Sequence, residues 1–306
     1  MKTVTLLGTG IMGAPMARNI AKAGFSVRVW NRSMTKASTL GDVAEVFETA
    51  GEAVSGADII ITMLKNGEVV TDVLFGESGV VPAAKPNALF VDMSSIQPSL
   101  ARDHAAELTR RGMRYLDAPV SGGERGAIDA TLAIMAGGDA ENYQEVEPVF
   151  AAMGCGTHVG IHGAGQVAKL ANQVIVAVSI GAVAEALLLA QEGGCDPAAV
   201  RKALMGGFAT SRILELHGER MLARNWQPGG PLELQLKDLD NALDVASEAG
   251  LKLPLTEQAR TAFYDLTHEM DMGRNDHSAY LCWLEAQSPG HRLGLAKDQA
   301  ISSSRK

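Results

Sequence analysis

The run Val4-Thr5-Leu6-Leu7-Gly8-Thr9-Gly10-Ile11-Met12-Gly13 constrains the fold more than any other stretch of the chain. A short apolar strand passes directly into a GxGxxG turn, and helical periodicity begins at Met12. Each glycine has its own duty. Gly8 permits the tight turn, Gly10 lets backbone approach a pyrophosphate, and Gly13 lets helix and strand pack closely. Unsatisfied N–H groups and the dipole at the helix mouth, beside Ile11 and Met12, favour the phosphate charge. A GxGxxG alone is only a glycine-bearing turn; strand before and helix after are the context a dinucleotide site needs.

The pattern around the turn agrees. Apolar runs at 4–7, 27–30, 58–63, 88–91 and 114–116 alternate with helical periodicity at 12–23, 68–74 and 98–111, which predicts a doubly wound sheet. Gly24 stops the first helix and Pro98 begins another. Further strands are expected at 132–136 and 157–159, around a helix at 141–152. After Gly165 only helical patterns follow, at 166–192, 197–205, 234–249, 256–270 and 277–286. The fold class is therefore α/β: a Rossmann-type domain over 1–162, then an all-helical domain over 163–287. The helix at 166–192 is apolar around much of its girth and should be the buried axis of the second domain. Residues 288–306 lack apolar periodicity and read as a flexible tail.

Composition closes several alternatives. With 306 residues, 46% apolar and 20% charged, the chain suits two ordinary globular domains. A net charge of −8 without a basic cluster argues against nucleic acid. The stretch 174–190 is interrupted by Glu185 and reads as a buried helix, so no membrane partner is expected. The N-terminal residues do not follow signal-peptide order. Three scattered cysteines without a CxxC fit a reducing, cytoplasmic setting. No HExxH or Cys/His cluster points to a metal.

The second strand ends in Asn31-Arg32-Ser33, where an NAD site usually offers an acid to the ribose 2′-hydroxyl. A guanidinium can pair with a 2′-phosphate that a carboxylate would repel, which favours NADP(H) over NAD. Arg32 as a solvated residue at a helix start is the plainer reading.

Three more motifs carry a family resemblance: Asp117-Ala118-Pro119-Val120-Ser121-Gly122-Gly123, Gly160 through Asn172, and Lys237-Asp238-Leu239 with Ala242 and Asp244. Together with the glycine turn they resemble the β-hydroxyacid dehydrogenases, in order, from Val4 to about Glu285. The resemblance implies an NADP(H)-linked oxidoreductase interconverting a small 3-hydroxy acid and its semialdehyde, with Lys169 as general acid and base. Local phrases such as Lys169–Val176 look most like tartronate semialdehyde reductases. Substrates such as 3-hydroxyisobutyrate, glyoxylate, succinic semialdehyde or a four-carbon sugar acid stay open. An imine reductase or a non-catalytic binding module is more distant, because such relatives usually lack the motif lysine.

On sequence alone Lys169 is more simply a lysine snorkelling off a helix, and Ser121-Gly122-Gly123 a flexible turn. The resemblance assigns Lys169 to catalysis and Ser121, Gly122, Gly123, Asn172 and Gln173 to a small anionic substrate. Gln173 stands where the family commonly has Asn. To the cofactor the resemblance adds Met63, Leu64 and Ser95, and Lys237 and Asp238 from the helical domain. Ser95 could instead cap the helix at Pro98, and Lys237 could be a surface charge. Relatives often carry a bulky aromatic seven residues before the motif lysine; here that position is Gly230, with Trp226 nearby as a possible filler. A wider or differently lidded pocket is therefore expected. A homodimer or homotetramer is expected from the family and from the apolar helical faces.

Overall fold

The computed structural model describes residues 2–299. Its contacts divide the chain after Lys169 into two compact units. The first unit alternates β1 (Thr3–Leu7), α1 (Gly13–Lys22), β2 (Ser26–Trp30), α2 (Met34–Ser38), β3 (Glu45–Val46), α3 (Ala50–Val54), β4 (Ile59–Thr62), α4 (Gly67–Phe75), β5 (Leu89–Asp92), α5 (Pro98–Arg110) and β6 (Arg114–Asp117). It continues with β7 (Val120–Ser121), α6 (Gly123–Ile128), β8 (Leu132–Gly138), α7 (Ala140–Ala151) and β9 (Gly154–Gly160).

Strands β3-β2-β1-β4-β5-β6 lie side by side and all run parallel. The order reverses between β1 and β4, the switch point at which such sheets bind ligands beyond their carboxyl ends. Every residue of β4 and β5 is buried, because helices cover both faces and polar alternation would place polar groups in a core. Leu6, Ile59, Ile61 and Val91 pack on one face with Met16 and Ile20 of α1. Leu7, Ile60, Phe90 and Tyr115 face the other way, onto Val54, Val70, Leu74 and Leu108.

The sheet is mixed rather than parallel throughout. β8 runs antiparallel to both β6 and β7 and parallel to β9. β6 and β7 are two pieces along one edge of β8, interrupted at Pro119, whose nitrogen has no proton to donate.

In the second unit α8 (Ala164–Glu192), whose first turns belong to the first unit, is followed by α9 (Pro197–Leu204), α10 (Arg212–Ala223), α11 (Leu232–Glu248), α12 (Pro254–His268) and α13 (Tyr280–Gln287). Ala177, Ile180, Ala184 and Leu187 of α8 pack with Leu214, Met221, Leu239, Phe263, Leu266 and Leu281. Gly181 admits the ring of Tyr280, which would lie 3.1 Å from an added Cβ. The expected buried axis is buried on one side. Ile175 and Leu189 are 67% and 74% exposed, and Ala171, Ala182 and Ala186 are exposed with them. Only one face of α8 is core.

The junction and the C-terminal segment are both fastened to their neighbours. Residues 163–169 pack with the sheet, because Gly163 and Gln166 donate their N–H groups to Asp117 (2.7 and 2.9 Å). The supposed flexible tail is fastened as far as Gln299. Leu293 is fully buried, its N–H donates to Glu285 Oε1 (2.8 Å), and Asp298 Oδ1 accepts from Arg224 Nε and Trp226 Nε1, both at 2.7 Å. Single anchors of this kind leave no periodicity in a sequence. Residues 300–306 lie outside the described residues.

Candidate active site

The glycine turn joins β1 to α1. Gly8 has φ +106°, and a Cβ there would fall 2.3 Å from Met63 O and 2.9 Å from the Leu64 side chain. A Cβ at Gly13 would fall 1.9 Å from Gly8 O, so only glycine lets α1 approach the turn. At Gly10 nothing lies within 4 Å of that direction, and neighbouring Ile11 is 61% exposed. Met12, the N-cap of α1, makes no side-chain cap bond, and the first turn carries no acid. The buried hydroxyl of Thr9 has no partner among the described residues. An open glycine, an uncapped helix mouth and an unused hydroxyl fit a dinucleotide pyrophosphate.

The end of β2 closes the turn from the side. Asn31 Oδ1 accepts from Thr9 N (3.1 Å) and its Nδ2 donates to Ser33 O (3.0 Å). Asn31 therefore holds the turn, while Arg32 and Ser33 stand exposed beyond it. Ser33 Oγ is 2.9 Å from Thr35 Oγ1.

Beyond β4 and β5 a buried carboxylate organises the loops. Asp92 Oδ1 accepts from Thr62 Oγ1 (2.8 Å) and Ser94 N (3.0 Å); Ser94 Oγ accepts from Leu64 N (3.0 Å). The Leu64 N–H is thus spent inside the protein. Asp92 Oδ2 has no partner among the described residues, and burial raises this carboxyl to about 6. Ser94 is the link; Ser95, half-buried, follows it.

Asp117 ends β6 in register with Asp92. Its two oxygens take the N–H groups of Gly163 and Gln166, yet burial outweighs these bonds and raises it to about 7. Gly165 lies so close that a Cβ would fall 2.4 Å from both Asp117 O and Met135 O. Gln166, 1% exposed, accepts from Ile96 N through Oε1 (3.1 Å) and donates through Nε2 to Ser94 O (2.8 Å). Lys169 follows three residues later on α8, half-buried. The structure thus joins Leu64, the 94–96 segment and the start of the Lys169 helix in one hydrogen-bonded set. Ser121, Gly122 and Gly123 lie where β7 ends. There β7 meets α6 with Gly122 and Gly123 both at positive φ and exposed.

In the helical unit Asn172, Gln173, Lys237 and Asp238 come together. Gln173 Nε2 donates to Gln235 Oε1 (3.0 Å) and Asp238 Oδ2 (2.9 Å), and Gln173 Oε1 accepts from Asn172 Nδ2 (2.8 Å). Gln235 donates back to Gln173 O (2.9 Å), and Lys237 Nζ lies 3.0 Å from Asp238 Oδ1. Gln173 is buried and links α8 to α11. Gln235 went unnoticed in the sequence because an isolated glutamine on a helix carries no signal.

The space at Gly230 is filled, though not by Trp226. A Cβ on Gly230 would fall 2.7 Å from His277 Cε1 and 3.0 Å from Nε2. That imidazole donates from Nε2 to Pro231 O (3.0 Å) and stacks on His217, with centroids 6.2 Å apart. Burial lowers it to about 4, so it is neutral at pH 7. Trp226 is buried and anchors Asp298 instead.

A Rossmann sheet with an open glycine turn, continued by a helical unit, defines an NAD(P)-binding oxidoreductase architecture. Residues 3–163 match the family model for the NAD binding domain of 6-phosphogluconate dehydrogenase. Residues 163–284 match the one for NAD-binding of NADP-dependent 3-hydroxyisobutyrate dehydrogenase. The chain is 45% identical to 2-hydroxy-3-oxopropionate reductase of Escherichia coli over 289 residues, 94% of this chain and 98% of that protein. It is 37% identical to a probable 3-hydroxyisobutyrate dehydrogenase of Mycobacterium tuberculosis, covering 94% and 99%. The solved M. tuberculosis 3-hydroxyisobutyrate dehydrogenase with L-serine superposes with a TM-score of 0.83 at 35% identity, covering 93% of this chain and 99% of that one. The chain belongs to the β-hydroxyacid dehydrogenase family, enzymes that interconvert 3-hydroxy acids and their carbonyl forms with NAD(P).

Proposed function

We propose that the protein is an NADP(H)-linked reductase of a small semialdehyde acid, with tartronate semialdehyde going to glycerate. The placement of Lys169 carries this reading: it sits just past the point where Gln166 and Asp117 fasten its helix to the cofactor loops. The 45% identity to the E. coli reductase supports the substrate. Gly8, Gly10 and Gly13 with Ile11 and Met12 would hold the pyrophosphate, Arg32 the 2′-phosphate, and Ser95, Lys237 and Asp238 the nicotinamide end. A reduced nicotinamide supplies hydride to the carbonyl carbon. Lys169 Nζ then gives a proton to the carbonyl oxygen as it gains charge, and takes it back in the oxidative direction. The hydroxyl of Ser121 and the backbone N–H groups at Gly122 and Gly123 suit the substrate carboxylate, with Asn172 as a further polar contact.

The exposed stripe Ala171, Ile175, Ala182, Ala186 and Leu189 on α8 supports a homodimer or homotetramer. Three free cysteines suit a reducing cytoplasm. NADPH oxidation against a panel of three- and four-carbon semialdehyde acids tests the activity, and absence of turnover across the panel overturns it. Lys169→Ala should lower kcat by roughly 10²–10⁴-fold while largely keeping NADPH affinity; near-normal kcat would remove Lys169 from the role.

A further inference from the structure

Gln166 does more than fill a core position. Its amide pairs with the C=O of Ser94 and the N–H of Ile96, spanning the backbone of Ser95 as a neighbouring strand would. Its own N–H is fixed by Asp117 Oδ2, and Ser94 is fixed in turn by Asp92 and Leu64. Both amide atoms are spoken for in a site that is 1% exposed, so loss of either bond leaves a buried backbone group unpaired.

We infer that Gln166 is a positioning residue that sets the distance between Ser95, at the nicotinamide ribose, and Lys169, the proton donor less than one turn along α8. The inference rests on the function proposed above. A hydride and a proton must reach adjacent atoms of one substrate, so their sources need a fixed separation, and a misplacement near 1 Å can cost about 100-fold in rate.

The test uses the full chain with NADPH and tartronate semialdehyde. Gln166→Leu removes both bonds and should lower kcat by about 10- to 100-fold, with a much smaller change in the NADPH dissociation constant. Gln166→Glu is the sharper probe. One oxygen can still accept from Ile96 N, but the other meets Ser94 O and must carry a proton to bond it. Burial and the neighbouring Asp92 and Asp117 carboxyls raise the pKa of the introduced acid. The ratio of Q166E to wild-type kcat should therefore climb as pH falls, a response that a space-filling role would not give. Amide exchange at Ile96 reads the clamp without turnover: faster in Q166L, and protected in Q166E only at low pH. Should Q166L fail to fold, the pH dependence of the Q166E ratio decides alone. A flat ratio, or a Q166L kcat within about threefold of wild type where a broken clamp predicts far more, overturns the inference alone. A wild type inactive on every semialdehyde overturns the proposed function and this inference together.

Discussion

Substituting Gly230 by alanine adds one methyl group against an imidazole that has nowhere simple to go. The new Cβ would lie 2.7, 3.0 and 3.2 Å from Cε1, Nε2 and Nδ1 of His277. That ring is held by Pro231 O, by the stack on His217 and by an edge contact with Phe263 at 6.0 Å. Overpacking of this kind costs about 1–3 kcal/mol. Gly230 does not sit at positive φ, so alanine also restricts the unfolded chain and returns about 0.4–1 kcal/mol. The net expectation for G230A is a loss of roughly 0.5–2 kcal/mol. His277→Ala alone empties a packed site and should cost about 2–3 kcal/mol. In that background the clash is gone and only the unfolded-state gain remains, so G230A should become stabilising by up to about 1 kcal/mol. The effect changes sign, and the coupling energy of the cycle is about 1–3 kcal/mol. Urea unfolding followed by tryptophan fluorescence measures it. In a Trp30→Phe background the remaining tryptophans, Trp226 and Trp283, report on the helical unit alone. Protein concentration must be held constant, since self-association would add to apparent stability. The same ΔΔG for G230A in both backgrounds would refute the claim that His277 occupies the space of the missing side chain.

Arg32→Ala should weaken NADPH by roughly 10- to 150-fold, the worth of about 1.5–3 kcal/mol in charge-assisted bonds, while NADH is little affected; an unchanged ratio of kcat/KM for the two cofactors would refute the 2′-phosphate assignment. Acid stability should depend on Asp117. Its folded pKa, about 7, lies above that of a free carboxyl, so the native state holds the extra proton below pH 7 and gains stability as pH falls toward 4. His277 and His104, both lowered to about 4 by burial, act oppositely, and their contribution is lost as pH falls from 6.5 to 4. Asp117→Asn removes the first effect, so the stability of the variant should fall more steeply across that window, by up to about 1.4 kcal/mol per pH unit; parallel curves for variant and wild type in urea titrations would contradict it. Ile175→Asp on the exposed stripe of α8 should shift the protein to monomer in light scattering, and a monomeric wild type would refute the interface.

What the sequence revealed was what repeats or what only one residue type can do. Runs such as Ile59–Thr62 and Leu89–Asp92 are apolar at nearly every position because both faces of the sheet are covered. Gly8 and Gly13 are forced by close backbone contacts, so their spacing betrays the turn before any fold is known. α10 escaped notice because Gly218 interrupts a weak apolar stripe, and the docked segment 288–299 because Leu293 and Asp298 act singly. The site was legible only in part for the same reason. Lys169, Ser121 and the glycines belong to local motifs, whereas the groups that hold them are joined across 46 to 72 residues: Asp117 to Gly163, Gln166 to Ile96 and Ser94, Gln173 to Gln235. Gln173 shows the consequence most sharply. Read beside Lys169 it looks like one more polar contact for substrate, and in the fold its amide also reaches Asp238 and Gln235 on α11, a bracing role that the motif does not announce. A motif therefore locates chemistry, while the division of its residues into those that meet the substrate and those that hold the others depends on contacts no local pattern encodes.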